Sequence, residues 1–142
     1  MLNFTKKLII SLVISVFIFG CSNSEIQFES ESKKTLYGFY EDLKKGAYEN
    51  AIDRCHKYWF KYWSNEQTLE FLRKIDEVKG KVIEYQLSEV YPGADLEGEQ
   101  PVGYYFTCIM QVKREFESSE EMIVIMREPG NTEFEVLTYS VK

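Results

Sequence analysis

The sequence predicts an α+β domain in which N-terminal helices pack on a curved, four-stranded antiparallel sheet. Three observations lead there. Across residues 33–79 the apolar side chains recur at helical spacing. At Gly80 the period changes to the alternation of strands. All helical segments precede all strand segments, the order of an α+β chain rather than an alternating α/β one. The chain has 142 residues, and aromatic side chains make up 15% of it, enough to build a core.

The helices come first. In 33–45, Leu36, Phe39, Tyr40 and Leu43 fall at i, i+3, i+4 and i+7, and Gly46 stops the run. In 48–59, Tyr48, Ala51, Ile52, Cys55 and Trp59 share one face, which predicts a second helix of cleaner period. In 64–79, Ser64 and Gln67 form a capping-box pattern, with Leu69, Leu72 and Ile75 on the apolar face and Gly80 as terminator.

Four strands are predicted after Gly80. Residues 81–91 set Ile83, Tyr85 and Leu87 against Glu84, Gln86 and Ser88. A Pro- and Gly-containing loop over 92–103 leads to a long strand, 104–116, with Tyr104, Phe106, Cys108, Met110 and Val112 on one face. A polar turn at 117–120 precedes 121–127, which is apolar on both faces and therefore expected at the centre of the sheet. Pro129, Gly130 and Asn131 turn the chain into a last strand, 134–141, completing an antiparallel meander.

The N-terminus is read apart from this domain. Lys6 and Lys7 precede an apolar run, 8–19, interrupted only by Ser11 and Ser15. The run is about half the ~20 residues that span hydrocarbon, and its order of positive, apolar, then small is that of a secretory signal. It ends Ile18-Phe19-Gly20-Cys21, which resembles the lipobox of bacterial lipoproteins. The resemblance implies cleavage between Gly20 and Cys21 and lipid on the Cys21 thiol, so the membrane is the first expected partner. Residues 1–20 are then the removed signal, 21–33 the lipidated cysteine with a flexible Ser/Glu-rich tether, and 34–142 a single α+β domain. The expected location is the cell envelope, with the outer membrane favoured where the organism has one because Ser22 is not acidic.

The formal net charge is −6, and removal of Lys6 and Lys7 with the signal makes the remainder more negative still. Phosphate binding needs clustered Lys and Arg, so a nucleic-acid partner is not expected.

The order of elements, with Phe39-Tyr40, Leu43, Gly46, Tyr48 and Ala51, then Gly80-Lys81-Val82, then Tyr104-Tyr105 opening a long strand, resembles the nuclear-transport-factor-like superfamily of cone-shaped α+β domains, and within it small bacterial lipoproteins of unknown function. The resemblance implies helices covering a concave sheet. A cystatin-like arrangement, one helix wrapped by a sheet, is the alternative. Enzymes, ligand-binding proteins and interaction modules all use such cones, so the fold alone does not choose among them.

Motifs for catalysis are absent: there is no nucleophile elbow, phosphate-binding glycine loop or zinc signature. No cofactor or metal is expected. His56 is the one histidine and reads as a surface helix residue. Glu115, Glu117, Glu120 and Glu121 read as a solvated turn region, as do Asp95, Glu97 and Glu99 in the long loop. Cys55 and Cys108 fall on core-facing positions; they are either a disulfide, worth roughly 4 kcal/mol for so long a loop, or two buried thiols. Residues 58–63 carry five aromatics in six positions, Tyr58-Trp59-Phe60-Lys61-Tyr62-Trp63. They cannot all face one core, so some of Tyr58, Tyr62 and Trp63 are expected at a rim or in a second contact, where they either cover the open end of the cone or form a surface for a protein partner or small ligand. The reading is a non-enzymatic binding module; the alternative is a pocket enzyme of isomerase or dehydratase type, for which Asp53 and Tyr104 are the residues to consider.

Overall fold

Gly80 is the hinge between the two halves of the fold. The computed structural model describes residues 22–142, with side chains from residue 30 onward. The chain divides into two units, Met1–Ser30 and Glu31–Lys142, and the architecture below is that of the second. Its elements are helices α1 (Ser22–Lys45, of which residues 31–45 fall in this unit), α2 (Tyr48–Asp53) and α3 (Asn65–Lys79), a 3-10 turn at Trp59–Lys61, and strands β1 (Val82–Pro92), β2 (Tyr104–Arg114), β3 (Ser118–Arg127) and β4 (Glu135–Val141). No helix of the described residues is long and apolar enough to cross a membrane. The signal segment and Cys21 lie outside the described residues.

The α+β class and the meander follow the sequence reading. The sheet order is β1-β2-β3-β4, and each neighbouring pair is antiparallel. Irregularities between Val82 and Glu84, Leu87 and Glu89, and Val124 and Ile125 interrupt the ladders; such bulges strengthen local twist. At Gly80 the backbone takes φ +83°, and an added Cβ would meet Glu115 Cβ at 2.6 Å and the Glu115 and Phe116 amide nitrogens at 2.9 Å. The corner between α3 and β1 is thus pressed against the β2–β3 turn, which only glycine allows.

One face of the sheet carries the helices. Leu36, Phe39, Tyr40 and Leu43 of α1, Ala51 and Ile52 of α2 and Leu72 of α3 are buried, each large side chain contributing roughly 1.5–3 kcal/mol. On β2 the inward phase is Cys108, Met110, Val112 and Arg114, all buried, whereas Tyr104 at the strand's start is exposed. The other face has a second cluster: Val124, Met126, Leu137 and Tyr58, with Ala94, Leu96 and Tyr105 packed against it. That cluster accounts for β3, whose Ile123, Val124, Ile125 and Met126 are all buried. The expected inner position of this doubly apolar strand is the one observed.

Two helix expectations need correction. The segment 22–33, read as flexible tether, is helical backbone, because α1 starts at Ser22. It contains neither Pro nor Gly to stop a helix, and glutamates near a helix N-terminus are favourable. Conversely, the helix expected over 48–59 ends at Asp53. The chain leaves it to pair with β4: Val136 N–H donates to Arg54 O at 2.8 Å and His56 N–H to Val136 O at 2.7 Å, forming a parallel bridge at Cys55. The outer edge of β4 offers unpaired backbone groups, and satisfying them displaces helical hydrogen bonds that the side-chain period alone favours.

Candidate functional site

The aromatic segment 58–63 is built by that same departure from helix. His56 O accepts from Trp59 N–H at 2.9 Å and Tyr58 O from Lys61 N–H at 3.2 Å, closing the 3-10 turn. Successive side chains then go to different places. Tyr58 enters the second core, and its hydroxyl donates to Glu99 O at 2.7 Å, tying down the β1–β2 loop. Trp59 turns toward α3 and donates Nε1–H to Thr68 Oγ1 at 2.8 Å. Tyr62 and Trp63 remain in solvent, 65% and 43% exposed. Tyr62 stands edge-on to Tyr58 at 5.5 Å between centroids, and Trp63 leans on Phe71 at 5.4 Å. Of the three candidate rim residues, two are therefore exposed; Tyr58 is a buried anchor beneath them.

Between helices and sheet the space is occupied. Tyr40, Met110, Ile123 and Ile125 are fully buried there, and Tyr40 and Phe39 both contact Tyr139 edge-on. A polar network lies in the same layer. Arg114 donates through Nε to Glu121 Oε1 at 2.8 Å and through Nη1 to Asp76 Oδ1 and Gly80 O, each at 3.0 Å. Its Nη2 donates to Tyr139 Oη at 3.1 Å, and Tyr139 in turn donates to Glu121 Oε2 at 2.6 Å. Ser119 donates to Glu121 as well, and Tyr48 to Asp76. Burial and the nearby Glu121 charge push the Tyr139 hydroxyl well above its ordinary range. Glu121, read from sequence as part of a solvated turn, is instead an enclosed carboxylate satisfied by one guanidinium and two hydroxyls. Its signal was parity: Glu121 is in phase with Ile123 and Ile125, and Arg114 with Met110 and Val112.

His56 is likewise buried rather than on a helix surface, because α2 ends before it. Its Nδ1 accepts from Tyr58 N–H at 3.1 Å, so Nε2 carries the proton facing Glu128 Oε1 at 2.9 Å. Lys57 Nζ also reaches Glu128 at 2.9 Å. Hydrogen bonding from Lys57, then from His56, holds the Glu128 carboxyl below the usual range. No group of three or more His, Cys, Asp or Glu that could hold a metal occurs among the described residues.

Cys55 and Cys108 are free, and both are buried. Of the two alternatives the buried thiols are realised and the disulfide is not. Cys108 pairs with Ile123, β4 lies beyond β3, and Cys55 lies beyond β4. Three strand spacings separate the two cysteines, about 14 Å at ~4.8 Å each, whereas a disulfide requires Cα atoms within about 7 Å. Desolvation pushes the Cys55 thiol up to about 12 and the Cys108 thiol up to about 11, so neither is an activated nucleophile.

Compared with known protein families, with curated proteins and with solved structures, the chain matches none. The function must be read from the surface itself. Asp53 and Tyr104, the residues considered for pocket catalysis, are both exposed: Asp53 ends α2, and Tyr104 stacks under the Arg127 guanidinium at 5.3 Å. Beside Asp53 a cleft of about 660 Å³ opens between α1, the end of α2 and residues 131–135. Arg54 lines it, its Nε donating to Asp42 Oδ2 at 2.6 Å.

Proposed function

We propose that this chain is an exported lipoprotein, held at an envelope membrane by lipid on Cys21, whose cone-shaped, nuclear-transport-factor-like domain is a non-enzymatic module that binds a partner protein or small ligand through the rim formed by Tyr62 and Trp63. The observation carrying the binding surface is their exposure above a framework that cannot absorb them. Tyr58 and Trp59 already fill the two adjoining cores, so Tyr62 and Trp63 present apolar area to solvent on a rigid base. Aromatic side chains held this way lose little conformational freedom on binding, which is why they concentrate binding energy.

The filled interior supports binding over pocket catalysis. The inward carboxylate, Glu121, is paired with Arg114 at 2.8 Å in a network whose two charged side chains are 0% and 1% exposed. The lipid anchor rests on the resemblance of Ile18-Phe19-Gly20-Cys21 to a lipobox and on the preceding apolar run.

Two measurements test the reading. Cells fed a clickable palmitate should label the wild-type chain and leave Cys21→Ser unlabelled; equal labelling sinks the anchor. In-cell crosslinking should recover a partner from the wild type that is lost from Tyr62→Ala/Trp63→Ala, and an unchanged set of partners together with an unchanged phenotype sinks the rim.

A further inference from the structure

Residue 38 lies inside α1, where glycine is a poor helix former. A Cβ there would sit 2.6 Å from Cζ and Nη1 of Arg54 and 2.9 Å from Nη2. The absent side chain makes room for the guanidinium against the helix. Asp42, one turn further along α1, takes the Arg54 Nε–H at 2.6 Å and so orients the group. The Nη1 and Nη2 groups have no hydrogen-bond partner among the described residues. Arg54 is therefore a seated cation with its forked donors unspent, and it lines the cleft of about 660 Å³ described above.

The rest of the lining sets the ligand. Lys34, one turn before Gly38, adds an ammonium without an ion pair among the described residues. Asp53 and Glu133 add carboxylates equally without one, while the two other acids of the lining, Glu31 and Glu135, face Arg127 at 3.4 Å and His56 at 3.9 Å. A simple anion would be repelled by these acids and a simple cation by Lys34 and Arg54. A molecule carrying both charges satisfies both sets. The guanidinium fork matches a carboxylate, Asn131 and Thr132 add an amide and a hydroxyl to the lining, and the volume is in the range of small-ligand sites.

We propose that this cleft binds a short zwitterionic peptide, its C-terminal carboxylate held by Arg54 and Lys34 and its ammonium by Asp53 and Glu133. The site shares no residue with the Tyr62–Trp63 rim, so either can fail without the other.

Calorimetric titration of the purified, full, detergent-solubilised chain with the dipeptide Ala-Ala tests it. The expected result is saturable binding, weakened at least tenfold when the amine is acetylated or the carboxylate amidated. Arg54→Gln should weaken binding at least tenfold, and so should Gly38→Ala, which favours the helix but evicts the guanidinium; circular dichroism checks that each is folded. Tyr62→Ala/Trp63→Ala should bind Ala-Ala as the wild type does. Should Arg54→Gln fail to fold, Glu133→Gln on the exposed loop carries the same test at the ammonium end. No saturable heat at millimolar Ala-Ala, equal binding of the blocked dipeptides, or unchanged binding by folded variants would overturn the proposal.

Discussion

Arg114 Nε and Glu121 Oε1 lie 2.8 Å apart on adjacent strands, with side chains only 1% and 0% exposed. This pair ties the end of β2 to the start of β3 and, through Asp76 and Gly80 O, both strands to the end of α3. Breaking one side leaves an uncompensated buried charge, at a cost of about 3–5 kcal/mol. Glu121→Ala should lower stability by that order in urea unfolding, far more than Glu120→Ala, whose carboxylate meets Lys142 at the surface. A cost equal for the two would show that the network contributes no more than a surface contact.

The tyrosines around this network set an alkaline limit. Desolvation first, then the hydrogen bond and charge of Asp76, push the Tyr48 hydroxyl up to about 12. Desolvation, then Glu41, does the same to Tyr85, also up to about 12. Tyr40 and Tyr139 are also raised well above the usual range, first of all by burial. Unfolded tyrosine ionises near about 10, so between that pH and the folded values the native state holds more protons than the unfolded one. Their contribution to stability is then fully present below pH ~10 and falls as pH rises toward ~12. Unfolded thiols ionise near about 8.5, so the raised Cys55 and Cys108 thiols start the decline. Urea midpoints should fall as pH rises from about 8.5 and more steeply above about 10. The part of the tyrosinate absorbance that Tyr40→Phe and Tyr139→Phe remove should appear only together with unfolding; that part appearing before unfolding would contradict this.

Both cysteines of the domain should be silent toward a thiol reagent at pH 8. Burial withholds the Cys55 and Cys108 thiolates and blocks access. Mass spectrometry after alkylation should find neither labelled in the native domain and both labelled in urea, with reductant leaving the unfolding midpoint unchanged. A midpoint that drops with reductant would indicate a bridge.

At the start of α3, Ser64 Oγ accepts from Gln67 N–H at 3.1 Å while Gln67 Oε1 accepts from Ser64 N–H at 2.9 Å. Ser64→Ala should cost ~1 kcal/mol, the usual worth of such a cap. Thr68→Val removes the acceptor of the buried Trp59 Nε1–H and should cost more, about 1–3 kcal/mol, with a change in tryptophan emission that Ser64→Ala does not produce.

These residues show which parts of the fold were legible in advance. The capping box of α3, the inward phase of β2 and the two apolar faces of β3 are local patterns, and each appears where its pattern predicts. Gly80 was legible as an end to α3; the closeness of Glu115 and Phe116 that makes glycine necessary there was not. For the aromatic rim, composition showed that 58–63 could not all be buried, but only the chain path shows that Tyr58 goes in and Tyr62 stays out. The cleft at Arg54 gave no sequence signal, since Gly38 and Arg54 are brought together by the packing of α1 against the turn after α2.

The sequence by itself determined the class, the order of elements and the meander, because helical and strand periods, caps and turn residues act between near neighbours. Tertiary structure decided what those periods could not: that α2 ends at Asp53, that His56 and Glu121 are enclosed, and that Cys55 and Cys108 stay three strands apart. The physical reason is one of competition. A free strand edge on β4 and a buried guanidinium on β2 demand partners from distant parts of the chain, and satisfying them outweighs the local preference of the segments that supply them.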